Sequence, residues 1–233
     1  MSDGTALIIG AGSGLSASLA RQLRAQGYDI VLAARNTDKL DALAKETDAR
    51  THALDGSDPA AVAGLFETIT GPLRVAIYNP SARSRGPVAD LDPEEVRRAV
   101  EITAFGSFLM GQAAAQKMLD QPQVNGKRGT ILFTGASAGV KGFANSAPFA
   151  MGKFAQRGLA QSMARELHPK GIHVAWVNID GGIANAARAE RVDDGSDRML
   201  DPDAIAITYV QLIDQHRSAW ANEVSLRPWV ETF

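Results

Sequence analysis

Short apolar runs that alternate with longer amphipathic segments are the feature that most constrains the fold of this chain. Seven runs of four to seven residues predict strands, at residues 5–10, 29–34, 51–54, 74–78, 129–135, 173–179 and 223–227. Most are continuously apolar, as strands buried on both faces of a parallel sheet are. Residues 14–26, with leucine at every fourth position, predict a helix that ends at Gly27, and residues 91–119 and 148–169 predict longer helices. This alternation predicts a doubly wound α/β sheet with right-handed crossovers and helices on both faces.

Size and composition favour one soluble domain over residues 1–233, since no linker or internal repeat divides the chain. A net charge of −2 gives no electrostatic basis for binding nucleic acid or an anionic membrane. The chain has no apolar run near 18 residues and no signal peptide, so a cytoplasmic location is expected. It has no cysteine, which excludes thiol catalysis, and its four histidines lack metal-ligand spacing, so no metal is expected.

The loop after the first predicted strand carries three glycines, Gly10, Gly12 and Gly14. Glycines at this point permit a tight turn and let the backbone approach a pyrophosphate, which the N-terminus of the next helix stabilises. Counted from Gly10, the G-x-G-x-x-G pattern requires glycine where Leu15 stands, whereas counted from Gly12 it ends on Ala17, a tolerated variant. The spacing predicts cofactor binding but leaves the family open, and a plain glycine-rich turn is the alternative.

From this loop onward the chain resembles the short-chain dehydrogenase/reductase family over nearly its whole length. The family's Thr-Gly-x-x-x-Gly-x-Gly reads Ile9-Gly10-Ala11-Gly12-Ser13-Gly14-Leu15-Ser16 here, so two glycines match and serine replaces the last. The resemblance implies a strand order of 3-2-1-4-5-6-7, a nicotinamide cofactor, a small-molecule substrate, and dimers or tetramers built through the two long helices.

The cofactor expected from the resemblance is NADP(H) rather than NAD(H). Ala34 stands where NAD-dependent members carry an acidic residue, and Arg35 follows it. An arginine pairs with a 2′-phosphate that a carboxylate would repel, although an exposed arginine at a strand end is the plainer alternative. The resemblance further assigns Asp55 to the adenine ring, Asn79 to the adenosine ribose, and a loop after the sixth strand to the nicotinamide. The expected cofactor-binding residues are Gly10, Gly12, Ser13, Gly14, Leu15, Arg35, Asp55, Asn79, Lys153, Gly181 and Ile183.

Of the four catalytic positions that the resemblance implies, only the lysine is present. Phe149 replaces the tyrosine of Tyr-x-x-x-Lys, four residues before Lys153. Ala136 replaces the serine, with Ser137 beside it, and Thr103 replaces the asparagine. The chain has three tyrosines and none is followed by lysine at the fourth position, so no other register restores the motif.

Two classes of function remain open. The first is an NADP(H)-dependent oxidoreductase that acts on an unidentified small carbonyl or alcohol, with a water, Ser137 or Thr103 relaying the proton. Phenylalanine keeps the shape of tyrosine, and losing one acid–base group costs about 10²–10⁴-fold in rate rather than all activity. The second is a catalytically inactive NADP(H)-binding protein. Arg83 and Arg85 follow Asn79, and the mixed charges of residues 184–202, in a segment that resembles the family's lid, favour a solvated loop over an anion-specific pocket.

Overall fold

The structure, a computed structural model, describes residues 4–231. The predicted domain of residues 1–233 therefore includes five terminal residues, 1–3 and 232–233, that lie outside the described part. None of the helices within residues 4–231 is long and apolar enough to cross a membrane.

Seven strands lie close to their predicted positions, and two short strands, the seventh and eighth along the chain, were not predicted. They are β1 (Thr5–Ile9), β2 (Asp29–Ala34), β3 (Arg50–Ala53), β4 (Leu73–Tyr78), β5 (Gly129–Thr134), β6 (Ile172–Ile179), β7 (Gly182–Ile183), β8 (Met199–Leu200) and β9 (Glu223–Leu226). Seven of them form one parallel sheet in the order β3-β2-β1-β4-β5-β6-β9, and β7 and β8 pair separately. Because β9 is the seventh predicted strand, the predicted fold and strand order are confirmed.

Helices cover both faces of the sheet, as predicted. They are α1 (Leu15–Ala25), α2 (Asp41–Thr47), α3 (Pro59–Glu67), α4 (Pro93–Val100), α5 (Gly106–Leu119), α6 (Ala147–Leu167) and α7 (Pro202–Asp214). Alternate residues of one strand belong to different cores: Ile8 packs in the core that includes α1, α2 and α7, whereas Leu7 packs in the core that includes α3, α5 and α6. This explains why the strands are apolar without interruption.

The predicted helix over residues 91–119 is divided by a π-helical turn, Glu101–Phe105, between α4 and α5. A tertiary contact accounts for it. The buried Tyr78 donates a hydrogen bond from its hydroxyl to the carbonyl oxygen of Ile102 at 2.5 Å. A Cβ atom on Gly106 would lie 2.0 Å from that hydroxyl, so α5 begins on a glycine that lets the tyrosine approach.

Candidate active site

The loop between β1 and α1 has the geometry of a phosphate cradle. Gly10 has a φ of 85°, and a Cβ atom there would lie 2.7 Å from Pro80, so the turn requires glycine. A Cβ atom on Gly12 would have no neighbour within 4 Å, so there is open space above the loop. Gly14 begins α1, and no described side chain caps the helix there. The first amide groups of α1 are therefore free to receive a phosphate, and the loop fits a dinucleotide.

A chain of hydrogen bonds ties this loop to the end of β4. Asn79 donates from its side-chain amide to the hydroxyl of Ser16 at 2.6 Å, and Ser16 donates to the carbonyl oxygen of Gly10 at 3.1 Å. The backbone amide of Asn79 also donates to Ile9 at 3.0 Å. Ser16, which stands where the family has glycine, therefore serves as a link between Asn79 and the loop. The sequence indicated only that it is small enough to fit.

The two charged residues expected at the adenosine end, Arg35 and Asp55, differ in whether their side chains already have partners. Arg35, directly after β2, is exposed and forms no ion pair or hydrogen bond with any residue in the described part of the chain. Asp55 accepts hydrogen bonds from the Ser57 hydroxyl and amide at 2.6 and 3.0 Å and forms an ion pair with Arg98. Burial acts to raise the pKa of Asp55, but these hydrogen bonds and the charge of Arg98 outweigh it and hold the pKa at about 2. Asp55 is therefore an ionised, already engaged carboxylate.

Three of the five predicted catalytic positions share one cavity. Ala136 and Ser137 follow β5, Phe149 lies in the first turn of α6, and all three line a cavity of about 460 Å³ together with Gly181. Phe149 is 6% exposed, and its ring lies against the guanidinium of Arg83, which lines the same cavity. The Ser137 hydroxyl has no hydrogen-bond partner among the described residues. The cavity lies at the carboxyl ends of β5 and β6, the edge at which parallel α/β sheets bind ligands.

Lys153 lies deeper than these residues and does not line the cavity. It is 2% exposed, and its ammonium donates to the carbonyl oxygen of Thr134 at 2.5 Å and to Oε1 of Gln156 at 3.1 Å. Gln156 in turn donates to Ser107 at 2.8 Å. Burial, and to a lesser extent the charge of Arg83, lower the pKa of Lys153 to about 7. These two acceptors engage two of the three N–H donors of the ammonium, so one donor is left for a nicotinamide ribose.

Thr103 also lies outside the cavity lining. It is fully buried in the π-helical turn, where its hydroxyl accepts a hydrogen bond from the amide of Ala82 at 3.1 Å. A Cβ atom on Gly152 would come within 2.7 Å of the Thr103 side chain, so this glycine lets α6 approach the turn. Thr103 therefore holds the loop after β4 in position.

Two further residues at the site were not among the predicted catalytic or cofactor-binding residues. Arg83 places its guanidinium 4.0 Å from the centre of the Phe149 ring, a cation–π contact. Asn185, in the lid segment after β7, lies over the phosphate loop, with its amide nitrogen 3.0 Å from where a Cβ atom of Gly14 would be. The position of Arg83 just after β4 was its only sequence signal. Of the two residues expected at the nicotinamide, Gly181 lines the cavity and Ile183 lies in β7.

Comparisons with known proteins agree with this geometry. The family profile described as short chain dehydrogenase matches residues 4–194. The trans-4-hydroxycyclohexanecarboxylate dehydrogenase of Sinomonas cyclohexanicum is 33% identical over 192 residues, which are 76% of this chain and 72% of that protein. The solved short-chain dehydrogenase from Rhodopseudomonas palustris is 34% identical, with a TM-score of 0.82 over 97% of this chain and 98% of that one. A metagenomic short-chain oxidoreductase solved in complex with NADP is 27% identical, with a TM-score of 0.81 over 99% of each chain. This chain belongs to the short-chain dehydrogenase family.

Proposed function

We propose that this protein is an NADP(H)-dependent oxidoreductase that interconverts a small carbonyl compound and its alcohol without a tyrosine acid. The observation that carries the proposal is the shared cavity of Phe149, Ala136 and Ser137, next to the Gly181 loop. A chain that had lost its reaction altogether has no need to retain an open cavity at the place where hydride transfer would occur. Its retention supports a reaction in which positioning does most of the work.

The phosphate loop and Arg35 support NADP(H) as the cofactor, which supplies the hydride when bound. The open space at Gly12 and the uncapped start of α1 fit a pyrophosphate, and the unpaired guanidinium of Arg35 fits a 2′-phosphate. The relative solved in complex with NADP supports the same choice.

The proton path that we propose uses Ser137 and water. Phe149 has no proton to donate, and Thr103 is fully buried outside the cavity lining. Ser137, the other predicted relay residue, lines the cavity. Its hydroxyl has no hydrogen-bond partner among residues 4–231. It orients the carbonyl oxygen, and a water from the open cavity delivers or receives the proton.

The substrate that we propose is an alcohol or the corresponding carbonyl compound of small size. The cavity of about 460 Å³ accommodates a compact molecule. The name of the Sinomonas relative describes a dehydrogenase of a hydroxylated ring compound, which supports an alcohol substrate here.

A second candidate function, cofactor binding without turnover, is favoured by Lys153. Its ammonium donates to Thr134 and Gln156, it does not line the cavity, and the tyrosine that it would assist is absent. In that case NADP(H) binding would stabilise the fold or signal cofactor state.

One experiment separates the two candidates. NADPH binding is measured by thermal shift, and NADPH oxidation is then followed at 340 nm over a panel of aldehydes and ketones, with Ser137→Ala as the variant. The oxidoreductase proposal expects turnover of at least one carbonyl and a loss of about 10²-fold or more in Ser137→Ala without a change in NADPH affinity. Binding of NADPH with no turnover over the whole panel contradicts it and supports the second candidate.

We further propose a homodimer or homotetramer that forms through α5 and α6. Apolar side chains on and next to these helices are exposed, with Phe105, Phe108, Met151 and Phe154 between 40% and 53% accessible. Exposed clusters of this kind are typical of protein–protein interfaces.

A further inference from the structure

Three arginines meet at the mouth of the cavity. Arg83 and Arg85, on the loop after β4, both line it. Arg191 approaches from the lid, where its guanidinium lies 3.2 Å from the place a Cβ atom of Gly182 would take. None of the three forms an ion pair with a carboxylate of residues 4–231. The cavity therefore has a positive rim without a counterion.

Three acidic residues near the cavity or in the lid, Asp180, Glu95 and Asp194, are engaged by other partners. Asp180, next to the cavity residue Gly181, forms an ion pair with Arg227. Glu95 accepts a hydrogen bond from the buried Ser84 at 2.7 Å. The lid can pair its own charges, as Arg198 does with Asp194 at 3.0 Å. None of these three carboxylates serves as a counterion for Arg83, Arg85 or Arg191.

Placing these like charges together is unfavourable unless an anion joins them. Burial, and after it the positive charges of Arg85 and Arg191, lower the pKa of Arg83. The guanidinium of Arg83 is nevertheless held in place, since it lies 4.0 Å above the ring of Phe149. A fixed guanidinium loses little freedom when it binds a carboxylate or a phosphate through two parallel hydrogen bonds.

We propose that this cavity selects a substrate with an anionic group, which Arg83 and Arg85 bind while Arg191 approaches it from the lid. The inference rests on the proposed function in one respect, that the cavity is the substrate site. The rest of the lining is mostly apolar, including Ala136, Phe143 and Phe149, and suits a compact hydrocarbon body. The substrate class is therefore a small aldehyde, ketone or alcohol that carries a carboxylate or a phosphate away from its reacting carbon.

Calorimetric binding of benzoate, phenyl phosphate and benzamide, with and without NADP⁺, tests the charge preference without requiring turnover. Benzamide has the shape of benzoate but no charge. We expect the better-bound anion to exceed benzamide by at least about tenfold in affinity, the effect of one charge-assisted hydrogen-bond pair. The stronger of benzoate and phenyl phosphate identifies the class of anion. In the Arg83→Gln/Arg85→Gln variant the preference should fall to about twofold or less, since both charges are lost.

Arg198→Gln is the matched control, because it removes one lid arginine that already has a partner, and it should keep the wild-type preference. Equal binding of the anions and benzamide, or a preference that survives in the double variant, overturns the inference.

Turnover of 4-formylbenzoate and 4-formylbenzamide with NADPH separates this inference from the proposed function. Charge-selective binding with neither aldehyde reduced supports the anion site and contradicts the oxidoreductase. Equal kcat/KM for the two aldehydes, with no charge preference in binding, overturns the anion site and leaves the oxidoreductase standing.

Discussion

At the scale of single residues, the site keeps its shape while its acidic hydroxyl is gone. The Phe149 ring lines the cavity where the family resemblance implies a tyrosine, and Ala136 lines it where the resemblance implies a serine. The buried ammonium of Lys153 donates to a backbone carbonyl oxygen and to a side-chain amide oxygen, and neither acceptor is a carboxylate.

Restoring the two hydroxyls should raise activity. In the Phe149→Tyr/Ala136→Ser variant, the phenol would lie beside the guanidinium of Arg83, whose charge lowers the phenol pKa. We expect NADPH-dependent reduction of simple ketones or diketones to increase by at least about tenfold over wild type, because one acid–base group is worth about 10²–10⁴-fold. Steady-state kinetics measure the change, with Ala136→Ser alone as the control. A wild type that is active and a double variant that gains nothing would show that the native proton route does not pass through this position.

Lys153 should make the stability of the apoprotein depend on pH. Its pKa is about 7 in the fold, whereas an unfolded lysine titrates near 10.5. Between these values the unfolded chain binds more protons, so the free energy of unfolding rises with pH by at most about 1.4 kcal/mol per pH unit. Relative to Lys153→Met, wild type should gain stability from pH 7 to pH 10 and show no further change below pH 7. Urea unfolding across this range measures the difference, and Lys45→Met, an exposed lysine, should run parallel to wild type. A constant difference between wild type and Lys153→Met at every pH would contradict the prediction.

Arg35 should decide the choice between cofactors. Its guanidinium is exposed and unpaired within the described chain, so it is available to a 2′-phosphate. We expect NADPH to bind more tightly than NADH, and Arg35→Ala to narrow the gap by about 1.5–3 kcal/mol, the scale of a hydrogen bond to a charged group. Calorimetry with both cofactors measures it, and Lys45→Ala, which removes an exposed charge from α2, should leave the gap unchanged. Equal affinities in wild type would end the assignment.

At the scale of elements, the strands and their order could be predicted because both follow from local apolar runs and from the resemblance. The π-helical turn could not, since it depends on the contact between Tyr78 and Ile102, which are far apart in the sequence. The features of the site likewise divide into those that a local motif predicts and those that depend on tertiary packing. The glycines of the phosphate loop are a local motif, whereas the partner of Lys153, Gln156, depends on which way a buried side chain points. The place of Arg83 over Phe149 depends equally on tertiary packing.

Two glycine-to-alanine substitutions in the phosphate loop separate its effect on stability from its effect on cofactor binding. Gly10→Ala should destabilise the fold by about 1–3 kcal/mol, because it forces a side chain into a positive φ and against Pro80. Gly12→Ala should leave stability within about 0.5 kcal/mol, since its Cβ meets open space. The same methyl group should weaken NADPH binding by about tenfold or more, since it keeps a phosphate from the backbone amides. Urea unfolding and calorimetry measure the two effects. A Gly12→Ala protein that binds NADPH as wild type does would place the cofactor elsewhere.

At the scale of the whole molecule, the sheet order puts the functional parts at one edge. The strand order reverses direction between β1 and β4, so the loops after these strands diverge and leave a crevice at their carboxyl ends. The glycine loop and Asn79 lie on either side of it and are joined through Ser16.

The proposed assembly through α5 and α6 should depend on its exposed aromatic side chains. Phe105 and Phe108 are stacked with ring centres 6.2 Å apart, and Phe154 on α6 is 45% exposed. Burying these side chains against a second copy stabilises the assembly by about 25 cal/mol for each Å² of apolar surface removed from water. We expect light scattering after size exclusion to give a dimer or tetramer for wild type and a smaller species for Phe105→Asp/Phe154→Asp, because buried unpaired carboxylates oppose association. Val124→Asp, at an equally exposed apolar position away from both helices, should keep the wild-type mass. A monomeric wild type, or a double variant of unchanged mass, would exclude this face as the interface.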